Sequence, residues 1–128
     1  MLYFYLNVKT SQQHLGSKGE KLALAHLRKN GYLILHCNYR IGRAEVDIIA
    51  EKQDCTVFIE VKTRSSIEFG YPETFVSKKQ ERTLIAAAEI YLAKNKEVKP
   101  IRYDIIAIII TREATTITHF EDAFWPMA

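Results

Sequence analysis

Two short stretches put ionisable side chains where a strand would otherwise be apolar: Glu45 and Asp47 in AEVDIIA, and Glu60 and Lys62 in FIEVKTR. Side chains two residues apart in a strand share one face and stand about 6.6 Å from each other, so each stretch lays its charges along a line. If the two strands form a hairpin with its turn centred between Gln53 and Asp54, then Asp47 falls opposite Glu60, Glu45 opposite Lys62 and Ile49 opposite Phe58. The other face then collects Val46, Ile48 and Ala50 against Val57, Ile59 and Val61, an unbroken apolar surface. A slip of one residue would mix the two faces, which supports this register.

A ladder of cross-strand ion pairs, each contributing about 0.2–1 kcal/mol, accounts for Glu45 with Lys62. It does not account for Asp47 facing Glu60. Two carboxylates about 5 Å apart repel by roughly 3 kcal/mol at an effective dielectric of about 20. A shared proton or a divalent cation would relieve that repulsion. Oxygen-only ligands indicate a hard ion, and Mg²⁺ accepts one or two carboxylates together with waters and phosphate oxygens. Lys62, on the same strand face as Glu60, would then reach a water or a phosphate at the ion. The chemistry outlined is phosphodiester hydrolysis, with the ion screening the phosphate and the ammonium stabilising the extra negative charge of the transition state.

These residues need a sheet beneath them, and the sequence supplies one. A first helix is expected from about Ser17 to Asn30, stopped by Gly31, with Ala23, Leu24 and Leu27 as its apolar stripe. Counting back along that stripe places Glu20 on the same inward face. Residues 32–40 and 45–51 read as strands joined through IGRA, and TVFIEVKTR as a third strand after the turn-like KQDC. Ser77 and Gln80 form a capping box for a second helix carrying Leu84, Ala88, Tyr91 and Leu92 and ending near Asn95. IRYDIIAIII, apolar on both faces after Pro100, reads as a central strand reached by a parallel crossover, and a short strand over 116–120 closes the sheet. The expected fold class is α/β, an αβββαβ core with a mixed central sheet flanked by helices.

The 128 residues, 48% hydrophobic, suit a single domain over 1–128 with an N-terminal extension at 1–14. A formal charge of +3 permits a nucleic-acid partner without identifying one. Cys37 and Cys55 form no CxxC pattern, so neither a disulfide framework nor a thiolate zinc site is expected, and a reducing cytoplasm fits. MLYFYL is too short for a signal-peptide core and IIAIII too short to span a bilayer, so no membrane association is expected.

The motifs resemble the PD-(D/E)xK nuclease pattern and, more closely, the YraN family of small bacterial proteins with a restriction-endonuclease-like fold. The resemblance runs through GSKGE (Gly16, Gly19, Glu20), AEVDIIA, FIEVKTR with Thr63 and Arg64, the Lys78-Lys79 helix start, and Arg102 and Asp104 in IRYDII. It implies Asp47 and Glu60 as ligands of Mg²⁺ or Mn²⁺, Lys62 as the catalytic lysine and Glu20 as an additional acid from the first helix, as in archaeal junction resolvases. Glu45 and Arg64 are accessory candidates. The family usually has Gly where this chain has Ala44; a left-handed backbone there would strain Ala by about 1 kcal/mol.

The implied partner is DNA, with branched or damaged DNA as candidate substrates and a homodimer as a candidate assembly, since junction cutters commonly dimerise. The alternative is a nucleic-acid-binding module that keeps the scaffold without cutting; a third reading is a structural protein whose acids merely pair. Lys78, Lys79 and Arg82 begin the second helix and Lys18 and Lys21 the first, where the helix dipole disfavours cations until a phosphate arrives. An ordinary solvated face explains them equally well. Phe69, Tyr71 and Phe75 read as satellite core, Arg102 with Asp104 as a buried structural ion pair, and the four histidines are given no role.

Overall fold

The computed structural model describes residues 11–66, 75–96 and 99–125; residues 1–10 of the expected extension, and Phe69 and Tyr71, lie outside the described residues. Helix α1 spans Ser11–Lys29, starting at Ser11 rather than Ser17, so it takes in residues 11–14. It ends as the sequence expects: Gly31 adopts φ +85°, Gly31 N donates to Arg28 O at 3.1 Å and Tyr32 N to Leu27 O at 3.0 Å. These two bonds satisfy carbonyls that the last turn leaves without helical partners.

Strands β1 (Leu33–Ile41), β2 (Ala44–Lys52) and β3 (Cys55–Arg64) follow as an antiparallel meander. The β1–β2 turn puts its positive φ on Gly42, and Ala44 is already in the strand opposite Ile41. Ala44 therefore carries no left-handed strain. The β2–β3 turn is the two-residue Gln53-Asp54, both residues at positive φ, and it fixes the expected Ile49–Phe58 register. Helix α2 (Lys78–Asn95) carries the capping box of Ser77 and Gln80 and leads by crossover to β4 (Ile101–Ile110), parallel to β3. Strand β5 (Thr115–Phe120) pairs antiparallel with β4, giving one sheet in the order β1-β2-β3-β4-β5.

The sheet is mixed and covered by a helix on each face. On one face Ala23 and Leu27 of α1 pack on Ile48, Ala50, Val57, Ile59, Ile106 and Ile108. On the other, Leu84, Ala88 and Tyr91 of α2 pack on Ile49, Phe58 and Tyr103. Val46 departs from its expected place beside Ile48. It packs with Ile49, Phe58 and Leu84 in the α2 layer, so strict alternation along β2 fails between Val46 and Ile48. Asp47 sits at that break. The deviation lies in local pairing: Asn38 of β1, at φ +51°, has no place in a β1–β2 register that pairs Cys37 with Ile48 and Tyr39 with Val46.

Helix α1 approaches β3 more closely than any side chain at the contact would allow. A Cβ added to Gly19 would lie 1.8 Å from Thr63 Oγ1 and 2.8 Å from Thr63 Cβ. Gly19→Ala is therefore expected to destabilise the fold by about 1–3 kcal/mol in urea unfolding, despite Ala being the better helix former, with Thr63→Ala recovering part of the loss in the same chain.

Candidate active site

The β2–β3 ladder ends at Ile48–Ile59, one position before Asp47 would meet Glu60. Continued in register, Val61 would face Val46. Instead, Val61 N donates to Asp47 Oδ2 at 2.8 Å, so a carboxylate takes the place of a strand carbonyl. Asp47 and Glu60 come together at this opening, close enough for the Glu60 charge to act on Asp47. The expected convergence is thus present, reached by parting the strands rather than by a continued ladder. Lys62 closes the group from the same strand, its Nζ 3.3 Å from Glu60 Oε1, with both side chains 18% exposed.

The expected Glu45–Lys62 ion pair is not formed. Glu45 lies 3.5 Å from Arg40 Nε across the β1–β2 turn, while Lys62 turns along its own strand to Glu60. The reason is the same parting of β2 from β3, which removes the cross-strand neighbour that a continuous ladder would have provided.

A cleft of about 670 Å³ opens over these residues, lined by Leu15, Gly16 and Glu20 of α1, Asn38, Glu45, Asp47 and residues 61–65 at the end of β3 and just beyond it. Glu20 is half-buried there, held by Asn38 Nδ2 at 2.7 Å from its Oε1. Arg64 lines the same cleft, with its guanidinium over the Phe75 ring at 5.1 Å and Nη1 donating to Thr63 O at 2.9 Å. A second cavity, of about 330 Å³, meets the site from the α2 side and is lined by Glu45, Glu60, Lys79, Gln80, Thr83 and Leu84. Lys79 thus borders the acids. Lys78 is paired with Glu81 at 3.2 Å, Arg82 lines a separate cavity with Phe124 and Trp125, and Lys18 and Lys21 are exposed on α1.

Electrostatics single out the acid pair. Burial first, then the neighbouring Glu60 carboxylate, push Asp47 up to about 7, against the bond from Val61 N. Burial also raises Glu60, with Lys62 opposing it. Asp47 therefore lacks compensating positive charge, the condition in which a cation binds, while Glu60 beside it is balanced in part by Lys62. Among the described residues no set of three or more His, Cys, Asp or Glu side chains stands at metal-holding spacing. The pair Asp47 and Glu60 alone is an all-oxygen donor set of the size Mg²⁺ takes, with waters and substrate oxygens completing its shell. The residues fit a hard divalent ion.

One polar cluster escaped the sequence reading. His119 Nε2 lies 2.7 Å from Asp104 Oδ2, and His26 Nε2 lies 3.0 Å from His119 Nδ1, residues separated by 93 positions. Arg102 grips Asp104 through Nε at 2.8 Å and Nη2 at 2.7 Å, as the expected buried ion pair, and Asp122 N adds a bond at 2.9 Å. Tyr32 OH accepts from Arg102. The only signal for this in the sequence was the Arg102/Asp104 spacing.

The profile of the family described as "Uncharacterised protein family UPF0102" matches residues 19–108, which include every acid of the cleft and Lys62. A UPF0102 protein of Flavobacterium psychrophilum is 46% identical over 111 residues, covering 87% of this chain and 93% of the relative. A UPF0102 protein of Christiangramia forsetii is 47% identical over the same length with the same coverage. One from Alkaliphilus oremlandii is 41% identical over 113 residues, covering 86% and 97%.

A carboxyl held at about 7 against an ordinary value of 3.8 binds its proton more tightly in the folded than in the unfolded chain. Stability is then fully present below the unfolded value and falls as pH rises through the window up to about 7, by at most about 1.4 kcal/mol per pH unit for one group. Urea unfolding in EDTA is expected to show this decline between pH 4 and pH 7, and Asp47→Asn to flatten it.

Proposed function

The chain belongs to the UPF0102 (YraN) family, and from that premise we propose that it is a Mg²⁺- or Mn²⁺-dependent endonuclease acting on DNA, with branched or damaged DNA as the substrate class. Fold and family support membership of the PD-(D/E)xK-like nuclease superfamily. The observation that carries the reading is the meeting of Asp47 and Glu60 where the ladder ends, with Lys62 beside them. A strand with only a structural task gains nothing from burying one carboxylate against the charge of another.

Asp47 and Glu60 would hold the ion, which when bound polarises a phosphoryl oxygen and offsets the charge of the diester. The Val61 amide fixes the Asp47 carboxylate, so the donor pair keeps its geometry without substrate. Lys62 neutralises Glu60 at rest and offers its ammonium to an attacking water or a nonbridging oxygen once substrate enters. Glu20 adds a carboxylate on the cleft wall, where it would accept a hydrogen bond from water and orient it. Lys79 and Arg64 supply positive charge on the α2 and β3 sides for the flanking backbone. Among the described residues no helix is long and apolar enough to cross a membrane.

The purified protein, incubated with plasmid, linear, single-stranded and four-way-junction DNA in Mg²⁺ or Mn²⁺, is expected to cut at least one of them. Asp47→Asn and Lys62→Ala are each expected to lower the rate by about 10²-fold or more. Binding of DNA without cutting, indifferent to Asp47→Asn, would instead favour a non-cleaving module.

A further inference from the structure

Asn38 stands out from the strand that contains it. Its neighbours Cys37 and Tyr39 pair across to Ile48 and Val46, while Asn38 itself leaves the ladder at φ +51°. Asparagine tolerates that backbone better than other side chains except glycine. The residue it would have faced in register is Asp47, which is likewise missing from the β2–β3 ladder. Asp47 is thus released from regular pairing on both sides. The Asn38 side chain then spends its amide on Glu20, Nδ2 to Oε1 at 2.7 Å, although an exposed amide has water available as a partner.

We infer that Asn38 is a positioning residue that holds the Glu20 carboxylate on the wall of the Asp47–Glu60 cleft as an outer acceptor for the ion's waters. This rests on reading the cleft as a divalent-metal nuclease site. Three features converge on it: Asn38 lines the cleft, it leaves the ladder opposite Asp47, and its amide is bound to a carboxylate from another element. Outer-shell groups of a metal site, the place Glu20 would take, typically change affinity by about 10- to 100-fold when removed, which sets the upper bound for Asn38 acting through Glu20.

The test separates backbone from amide. Asn38→Gly keeps the left-handed conformation and removes the donor; Asn38→Ala removes the donor without adding charge, at the cost of some backbone strain, which keeps the question open should the glycine variant not fold. Mn²⁺ binding to the full chain without DNA, followed by calorimetry, is expected to weaken in each by up to about 10- to 100-fold. Glu20→Gln should weaken it too, and Asn38→Gly/Glu20→Gln no further than the worse single variant, because the two act through one carboxylate. Wild-type affinity in Asn38→Gly, or losses that multiply in the double variant, would overturn the inference. If the wild-type chain binds no Mn²⁺ and cuts no DNA, the nuclease reading falls. The positioning of Glu20 for the ion's waters falls with it, whereas wild-type binding of Mn²⁺ with unchanged affinity in Asn38→Gly overturns the inference alone.

Discussion

The cleft depends on a β-ladder that stops one pair early. Backbone N–H groups of a buried strand need acceptors, and Val61 finds its acceptor in the Asp47 carboxylate instead of a β2 carbonyl. That substitution offsets the lost ladder bond with a charge-assisted one, and it fixes Asp47 from the backbone side. The same parting lets Asp47 turn to Glu60, deprives Glu45 of Lys62 as a partner and leaves Lys62 free to close on Glu60. Had β2 and β3 remained paired to their ends, the charges would form a solvated cross-strand ladder with no concave space above them.

Helix α1 makes the opening a cleft. Its approach to β3 is set at Gly19, where Thr63 occupies the space of a missing Cβ. Glu20 is the next residue, so the closeness that Gly19 permits brings a third carboxylate to the rim, where Asn38 meets it. The tight helix–strand contact and the acid in the cleft are two consequences of one glycine's position. This gives the order Gly-Glu on the helix a physical meaning that neither residue has alone.

Much of this could be read from the chain. The two-residue turn at Gln53-Asp54 determines the register of everything that follows it, and the capping box and Gly31 mark their helix ends by local chemistry. The start of α1 was missed because Ser17 offers a plausible cap six residues inside a helix whose first turns carry little apolar pattern, SQQH among them. Val46 falls on the other face because alternation assumes an uninterrupted strand, and pairing is interrupted where Asp47 stands opposite Asn38 of the neighbouring one. An asparagine within a run of strand formers was the available signal. The association of His26 and His119 with Asp104 carried no such signal, since α1, β4 and β5 bring them together only in the finished fold.

Two buried acids on this sheet, Asp104 and Asp47, show how environment assigns tasks to one residue type. Burial alone would raise Asp104, yet His119, the Arg102 fork and Asp122 N surround it with donors and hold it below the ordinary carboxylate range. Its charge is fully compensated, and what it does is tie α1, β4 and the chain after β5 to one point. Asp47 has the opposite balance. Burial is similarly adverse, and the Val61 amide and Lys62 oppose it without overcoming it, while Glu60 and Glu20 add negative charge. A carboxylate saturated by its own protein has no capacity left for a ligand. One whose electrostatic deficit is built in and held in place by strand geometry has its function in whatever supplies the missing positive charge.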